Sequence, residues 1–257
     1  MSFSLLKKIR KCAILCKSLG DIMKNVLITG ASSDLGKELA KKFASEGYNL
    51  ILTYLNNEEA CEKLKEEIAN VKVDIYKCDI RNEEDITSIV NKYSNIDILI
   101  NNAAYTKDDN IFEKSIESFK EVIDTNVLGT FLVTRTVSKK MLENKSGSIV
   151  NISSTNAIDT NYPESIDYDA SKAAINSMTR NFADALAPYI RVNAICPGWI
   201  NTSINKELNP SFKKEETSKI LLKRFAEPEE IANTVFNIAT DTYINKTIIR
   251  VDGGYHE

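Results

Sequence analysis

Val26 to Gly36 reads V-L-I-T-G-A-S-S-D-L-G, and K-E-L-A-K-K-F-A follows to Ala44; this stretch decides the fold. The apolar run Val26–Thr29 is a strand. The glycine turn Gly30–Gly36 follows it. Leu35, Leu39, Ala40 and Phe43 then recur at helical spacing. Backbone N–H groups at such a turn, with the positive end of a helix dipole behind them, suit a pyrophosphate. Gly30 lets the chain turn tightly, and Gly36 lets the helix lie close to the strand. The fragment alone also suits an ordinary strand-to-helix connection.

Outward from it, apolar strands alternate with amphipathic helices along the chain. That pattern predicts an α/β fold: one Rossmann-type, doubly wound parallel sheet of about seven strands with helices on both faces. A chain of 257 residues with 43% apolar content can fill one such core. No repeat, low-complexity stretch or linker divides it. The net charge of −3 gives no basic footprint for nucleic acid. The five cysteines, Cys12, Cys16, Cys61, Cys78 and Cys196, are an odd number and read as reduced thiols of a cytoplasmic protein. Cys12 and Cys16 have no nearby His or Cys partner, so no metal site is expected. His256, the single histidine, reads as a solvated tail residue.

In Y-D-A-S-K, Tyr168 and Lys172 stand one helical turn apart, on one face. An ammonium beside a phenol favours the phenolate and lowers its pKa, so Tyr168 could exchange a proton with a substrate oxygen near neutral pH. Alone the spacing also fits a solvated helix-face pair. Other strings accompany it in a fixed order: K-C-D-I with Asp79 and Ile80; I-D-I-L-I-N-N-A-A with Asn101 and Asn102; D-T-N-V-L-G-T-F with Asn126; S-I-V-N-I-S-S with Ser153 and Ser154. After the pair come I-R-V-N-A-I-C-P-G-W-I-N-T, ending at Thr202, and I-I-R-V-D-G-G.

Together these strings resemble the short-chain dehydrogenase/reductase family from about Lys24 to Tyr255. The resemblance implies that Tyr168 is the general acid/base and that Lys172 lowers its pKa and bonds the nicotinamide ribose. It implies that Ser154 polarises the substrate carbonyl and that Asn126 holds a water of the proton relay. Ser153, by contrast, reads as a hydroxyl bonded back to the neighbouring loop, and Asn126 alone would read as a helix cap. For the cofactor it implies contacts from Gly30, Ser32, Ser33, Leu35 and Gly36, with Tyr54 after the second strand. Asp79 and Ile80 would flank the adenine, Asn102 and Ala103 line the middle, and Pro197, Gly198, Ile200 and Thr202 embrace the nicotinamide. Asp79 has a second reading as a turn residue.

The chain departs from the family's pattern in places. Asp34 stands where the middle glycine of the turn is usual; it could cap the following helix, and it would repel a pyrophosphate. Ala104 replaces a glycine after N-N-A, and N-K-T-I-I-R before the last strand lacks one. After N-L-I-L-T-Y there is no carboxylate to hold a ribose 2′-hydroxyl, which favours NADP over the alternative, NAD. Yet no basic residue stands there, and Ser33 occupies a place that is basic in many NADP enzymes.

Members of this size often resemble 3-oxoacyl-acyl-carrier-protein reductases, and R-F-A-E-P-E-E-I-A followed by V-D-G-G is common among them. The resemblance implies basic residues near the site entrance for an acidic carrier. Lys145 falls near one such place, while Tyr189 occupies the other. Ser203–Arg224 should form a mobile cover. Its Lys206, Lys213, Lys214, Lys219 and Lys223 read as a solvated helix face balanced by Glu207, Glu215 and Glu216, and could otherwise attract an anionic substrate. A homotetramer built through helices at about Asn126–Glu143 and Tyr168–Ala187 is implied. Three readings follow: an NADPH-dependent 3-oxoacyl-thioester reductase; an oxidoreductase of another small alcohol, sugar or steroid; or a dinucleotide-sensing regulator without turnover.

Residues 1–22 read as an extension outside the domain 23–257. Five of the 33 basic residues and one of the 36 acidic ones lie there, so the remainder carries −7. Phe3, Leu6, Ile9, Ala13 and Cys16 could share a helix face, with Lys7, Lys8, Lys11 and Lys17 mostly elsewhere, as in a surface-bound helix. The apolar runs are too short for a membrane span or signal core. Met23 precedes the first strand, and Leu19–Ile22 can be encoded by a purine-rich ribosome-binding sequence. The extension is therefore expected to be a start-site artefact.

Overall fold

The structure, a computed structural model, describes residues 24–256. The expectations for the extension lie outside them. In chain order, β1 (Asn25–Ile28) leads to α1 (Asp34–Ser45), β2 (Asn49–Tyr54) to α2 (Glu58–Glu67), and β3 (Val73–Lys77) to α3 (Glu83–Val90). After β4 (Ile98–Asn101) come α4 (Ile116–Ile123), a π-helical segment Asp124–Gly129, and α5 (Thr130–Glu143). Then follow β5 (Gly147–Ile152), α6 (Ile166–Leu186), β6 (Ile190–Pro197), α7 (Ser203–Lys206), α8 (Pro210–Lys219), α9 (Pro228–Thr240) and β7 (Ile248–Val251).

All seven strands are parallel, in the order β3-β2-β1-β4-β5-β6-β7. This is the doubly wound sheet that the alternating pattern predicts. Successive strand residues point to opposite faces. Val26 and Ile28 therefore pack with Leu39, Phe43, Cys61, Leu64 and Val235 of α1, α2 and α9. Leu27 packs on the other face with Ile89, Val133, Val137 and Leu186 of α3, α5 and α6. Burial on both faces explains why β1, β2 and β4 read as continuous apolar runs. The strand order reverses between β1 and β4, and a crevice at such a switch point is where α/β sheets bind ligands.

Two local expectations change. Asn126 begins no α-helix; it lies in the π-helical segment ahead of α5, with no role as a cap. Such wider turns redirect side chains and gather at functional sites. Before β7, where a glycine is missing, Lys246 itself takes φ +59. Asn245 steadies that bend by accepting the N–H groups of Val192 and Lys246, each at 2.9 Å. Among the described residues no helix is long and apolar enough to cross a membrane.

Candidate active site

The crevice begins at the end of β1. Gly30 takes φ +65, and a Cβ there would come within 2.8 Å of the Ala103 backbone. A Cβ on Gly36 would run into the Gly30 carbonyl and the Ala31 backbone, so this glycine keeps the turn itself tight as well as the helix close. Ser33 caps α1, accepting the Gly36 N–H at 3.1 Å and donating to the Gly30 carbonyl at 3.0 Å. Leu35 is buried in the core, while Ser32 is half-buried beside the turn. Thr29, which the sequence reading passed over, accepts the N–H groups of Asn102 and Ala103, each at 3.0 Å. Asn102 returns two bonds to the Thr29 and Gly30 carbonyls at 2.9 and 3.0 Å. A polar residue closing an apolar strand before glycine was the signal for Thr29.

Asp34 does not cap α1. Its Oδ2 accepts the N–H of Ser203, the first residue of α7, at 2.6 Å. That bond, aided by Lys37 at 3.9 Å and the charge of Lys206, holds the carboxyl below its usual range. The turn, opening a three-turn helix with glycines where side chains would collide, fits a dinucleotide pyrophosphate.

Tyr54 closes β2 with its ring buried. The Glu58 carboxylate near its hydroxyl, with burial, pushes its pKa up to about 12. Asp79 is bound by Arg81 through several bonds of 2.7–3.1 Å, and its carboxyl is held low by that guanidinium. Ile80 packs where a Cβ on Gly129 would sit, at 2.7 Å. Neither the turn nor the end of β2 carries a base. However, α1 and α2 bring Lys37, Lys41 and Lys63 together with Asn57 around a pocket of about 300 Å3, which Glu59 and Glu67 also line.

The reactive groups meet at the C-terminal ends of β5 and β6. Lys172, on α6, lies 5.4 Å from the centre of the Tyr168 ring and donates to the Ile152 carbonyl at 2.8 Å. Burial pushes this lysine down to about 8. The spacing of Tyr168 and Lys172 predicts a lowered phenol pKa. Instead burial pushes the phenol up to about 12, with the Ser154 hydroxyl acting against that rise. The physical reason is burial, which penalises the phenolate, while the ammonium is engaged by a backbone carbonyl. The Ser154 hydroxyl also donates to Asn156 Oδ1 at 3.0 Å. Ser153 donates to the Lys172 carbonyl at 3.1 Å, so it ties β5 to α6 instead of bonding its neighbouring loop. Asn126 is fully engaged by protein: its Oδ1 accepts the Tyr105 N–H at 2.8 Å, and its Nδ2 donates to the Tyr105 carbonyl and Ser171 Oγ, each at 2.9 Å. Just before the tyrosine, Asp167 accepts the Tyr168 N–H at 2.9 Å and pairs with buried Lys114 at 2.9 Å.

Pro197 ends β6 against Val251, and Gly198 donates to the Val251 carbonyl at 3.0 Å. A Cβ on Gly198 would lie 2.8 Å from Asp252 Cβ. Ile200 bridges to Ala226, and Thr202 caps α7. In the cover, Lys219 pairs with Glu216 at 2.7 Å and Glu215 at 3.4 Å. Glu216 corrects the reading of a solvated face: it is buried and accepts further bonds from three aromatic side chains. Lys145 lies 5.8 Å from the Tyr189 ring, and both precede the N-terminal ends of β5 and β6. Within one chain they are thus at the edge of the sheet opposite Ser154 and Tyr168.

A turn shaped for a pyrophosphate at the switch point, with a Ser, Tyr and Lys group at the neighbouring strand ends, defines a dinucleotide-dependent oxidoreductase. A family model described as enoyl-(acyl carrier protein) reductase matches residues 30–256, and the chain belongs to the short-chain dehydrogenase/reductase family. It is 38% identical over 239 residues to the 3-oxoacyl-[acyl-carrier-protein] reductase FabG of Thermotoga maritima, covering 90% of this chain and 97% of that one. The FabG of Aquifex aeolicus is 37% identical, covering 89% and 95%. Among solved structures, ElxO with NADP bound superposes with a TM-score of 0.83 at 29% identity, covering 91% of this chain and 99% of that one. A point variant of actinorhodin polyketide ketoreductase with NADPH gives 0.83 at 29%, covering 90% and 97%.

Proposed function

We propose that this protein is an NADPH-dependent reductase of 3-oxoacyl thioesters, of the kind carried on acyl carrier protein. The observation that carries this reading is the Ser154, Tyr168 and Lys172 group at the end of a dinucleotide crevice. The FabG relatives and the NADP- and NADPH-bound neighbours support the substrate and cofactor classes. When bound, the nicotinamide supplies the hydride for the carbonyl carbon.

The chain's own residues do the rest. Ser154 Oγ donates to the carbonyl oxygen as negative charge grows there. Tyr168 Oη delivers the proton that completes the alcohol. This phenol, pushed up by burial, holds its proton at neutral pH. By the family resemblance Lys172, whose ammonium here rests on the Ile152 carbonyl, would bond the nicotinamide ribose. Asn126, through Tyr105 and Ser171, fixes the helix join behind it. Lys37, with Asn57, is the best-placed group for a 2′-phosphate. The enzyme is expected to work in the cytoplasm as a homotetramer.

The test is consumption of NADPH and of NADH with an acetoacetyl thioester, in parallel. Turnover that favours NADPH agrees with the proposal. Dinucleotide binding without turnover of any 3-oxoacyl thioester contradicts it and moves the search to other carbonyls.

A further inference from the structure

Glu216 lies on α8, in the cover, and is 1% exposed. One of its oxygens, Oε2, accepts three bonds: from Tyr162 Oη at 2.6 Å, Tyr255 Oη at 2.8 Å and Trp199 Nε1 at 2.9 Å. Lys219 Nζ takes the other oxygen at 2.7 Å. The donors come from three separate segments: the loop before α6, the loop after β6, and the tail after β7. Burial works to raise this carboxyl's pKa, but the bonds from Lys219 and the aromatic donors outweigh it and keep it charged. A buried carboxylate so bonded fixes its donors, because turning one away leaves polar groups unpaired.

The donors form a wall. Trp199 stacks on Phe225 at 5.3 Å and meets Phe212 edge-on at 5.7 Å; Tyr162 meets Trp199 at 5.8 Å and Phe212 at 6.4 Å. This wall is tied to the segments that carry Ser154 and Tyr168. The Tyr162 N–H is held by Asp169, the neighbour of Tyr168, at 3.2 Å, and Trp199 directly follows Gly198. The same Asp169 accepts Asn156 Nδ2 at 2.6 Å, and Asn156 in turn bonds Ser154. Phe225 is buried, and Tyr162, Trp199 and Phe212 are half-buried.

We infer that Glu216 is a positioning residue that locks an aromatic wall at the substrate end of the site, and that the wall sets specificity for compact 3-oxoacyl groups over long acyl chains. The inference rests on the reading of the protein as a 3-oxoacyl-thioester reductase. A short acetoacetyl group needs no opening of the wall. A long, flexible chain must part rings that converge on one buried oxygen. Glu216→Gln keeps the size but removes the charge, so the wall loosens.

The experiment compares wild type, Glu216→Gln and Tyr162→Phe as full-length proteins. Activity is read as kcat/KM for acetoacetyl and 3-oxododecanoyl N-acetylcysteamine thioesters with NADPH. Binding is read from the emission of Trp199, the only tryptophan of the chain, on adding each thioester to the protein loaded with NADP+. Wild type should favour acetoacetyl by about tenfold or more, and both variants should shrink that ratio. A wild-type ratio that is flat or favours the long chain overturns the inference, as does a ratio unchanged in both variants. If no thioester is turned over, the functional reading fails separately, and binding alone judges the wall. Short-over-long binding that Glu216→Gln erases then supports it, and an equal or absent Trp199 response overturns it.

Discussion

Asp34 in the nucleotide turn accepts the backbone N–H of Ser203, 169 residues further along the chain, at 2.6 Å. A carboxylate stands where the family's turn usually has a glycine, and it ties the cofactor turn to the first helix of the cover. The same charge, 3.9 Å from Lys37, stands in the turn where a pyrophosphate would sit if the proposed function holds.

Asp34→Gly should therefore tighten NADPH binding by about 1 kcal/mol, roughly fivefold, because like charges at a partly solvated site repel by about this much. The gain should shrink at high salt, since exposed charges are screened. The cover should at the same time be cut faster near Ser203 by a protease. Titration of NADPH fluorescence at two salt concentrations checks this; weaker binding in Asp34→Gly contradicts it.

Lys37→Ala should raise the dissociation constant for NADPH about tenfold while leaving that for NADH within about twofold, because one charge-assisted bond to a phosphate is worth about 1.5–3 kcal/mol. Competition by 2′,5′-ADP reads the phosphate contact without the nicotinamide. An unchanged NADPH-to-NADH ratio removes Lys37 from the phosphate site.

Lys114 and Asp167 form a buried pair, 3% and 0% exposed, and Asp167 also holds the Tyr168 N–H. Lys114→Met should lower stability by about 3 kcal/mol or more, since it strands a buried charge. The double variant Lys114→Met with Asp167→Asn should recover much of the loss. Urea unfolding of the three proteins measures it, and equal stability of all three contradicts it.

Lys172 gives a pH signature. Its pKa is about 8 in the fold and 10.5 for an ordinary lysine. Between these values the unfolded chain binds a proton that the native site has released, so this group's contribution to stability rises with pH across that window. Buried Cys61 and Cys78, pushed up to about 11 and 12, act in the opposite sense above pH 9, their ordinary value. The difference between wild type and Lys172→Met isolates the lysine. That difference should move in favour of wild type as pH rises from about 8, and a flat difference contradicts the assignment.

The fold was legible because strands buried on both faces read as apolar runs and helices buried on one face show their period. The grouping of Ser154, Tyr168 and Lys172 was legible because Tyr168 and Lys172 share one helix turn and Ser154 follows a strand end. What the sequence could not reveal depends on distant partners. Glu216 looked like one charge of a solvated helix, since its three aromatic donors lie in other segments. Lys114 gave no signal at all, because its partner Asp167 is 53 residues away. Spacing places a lysine near a tyrosine but does not show the burial that pushes the phenol up, because the elements that bury it lie elsewhere in the chain.

The central claim is proton delivery by Tyr168, and the most direct measurement is a single-turnover comparison of wild type and Tyr168→Phe with NADPH and an acetoacetyl thioester, with the NADPH dissociation constant measured beside it. The account predicts a rate at least about a hundredfold lower, the lower end of what a positioned acid contributes, with NADPH affinity within a few-fold of wild type. A variant that reduces the thioester at the wild-type rate would contradict it.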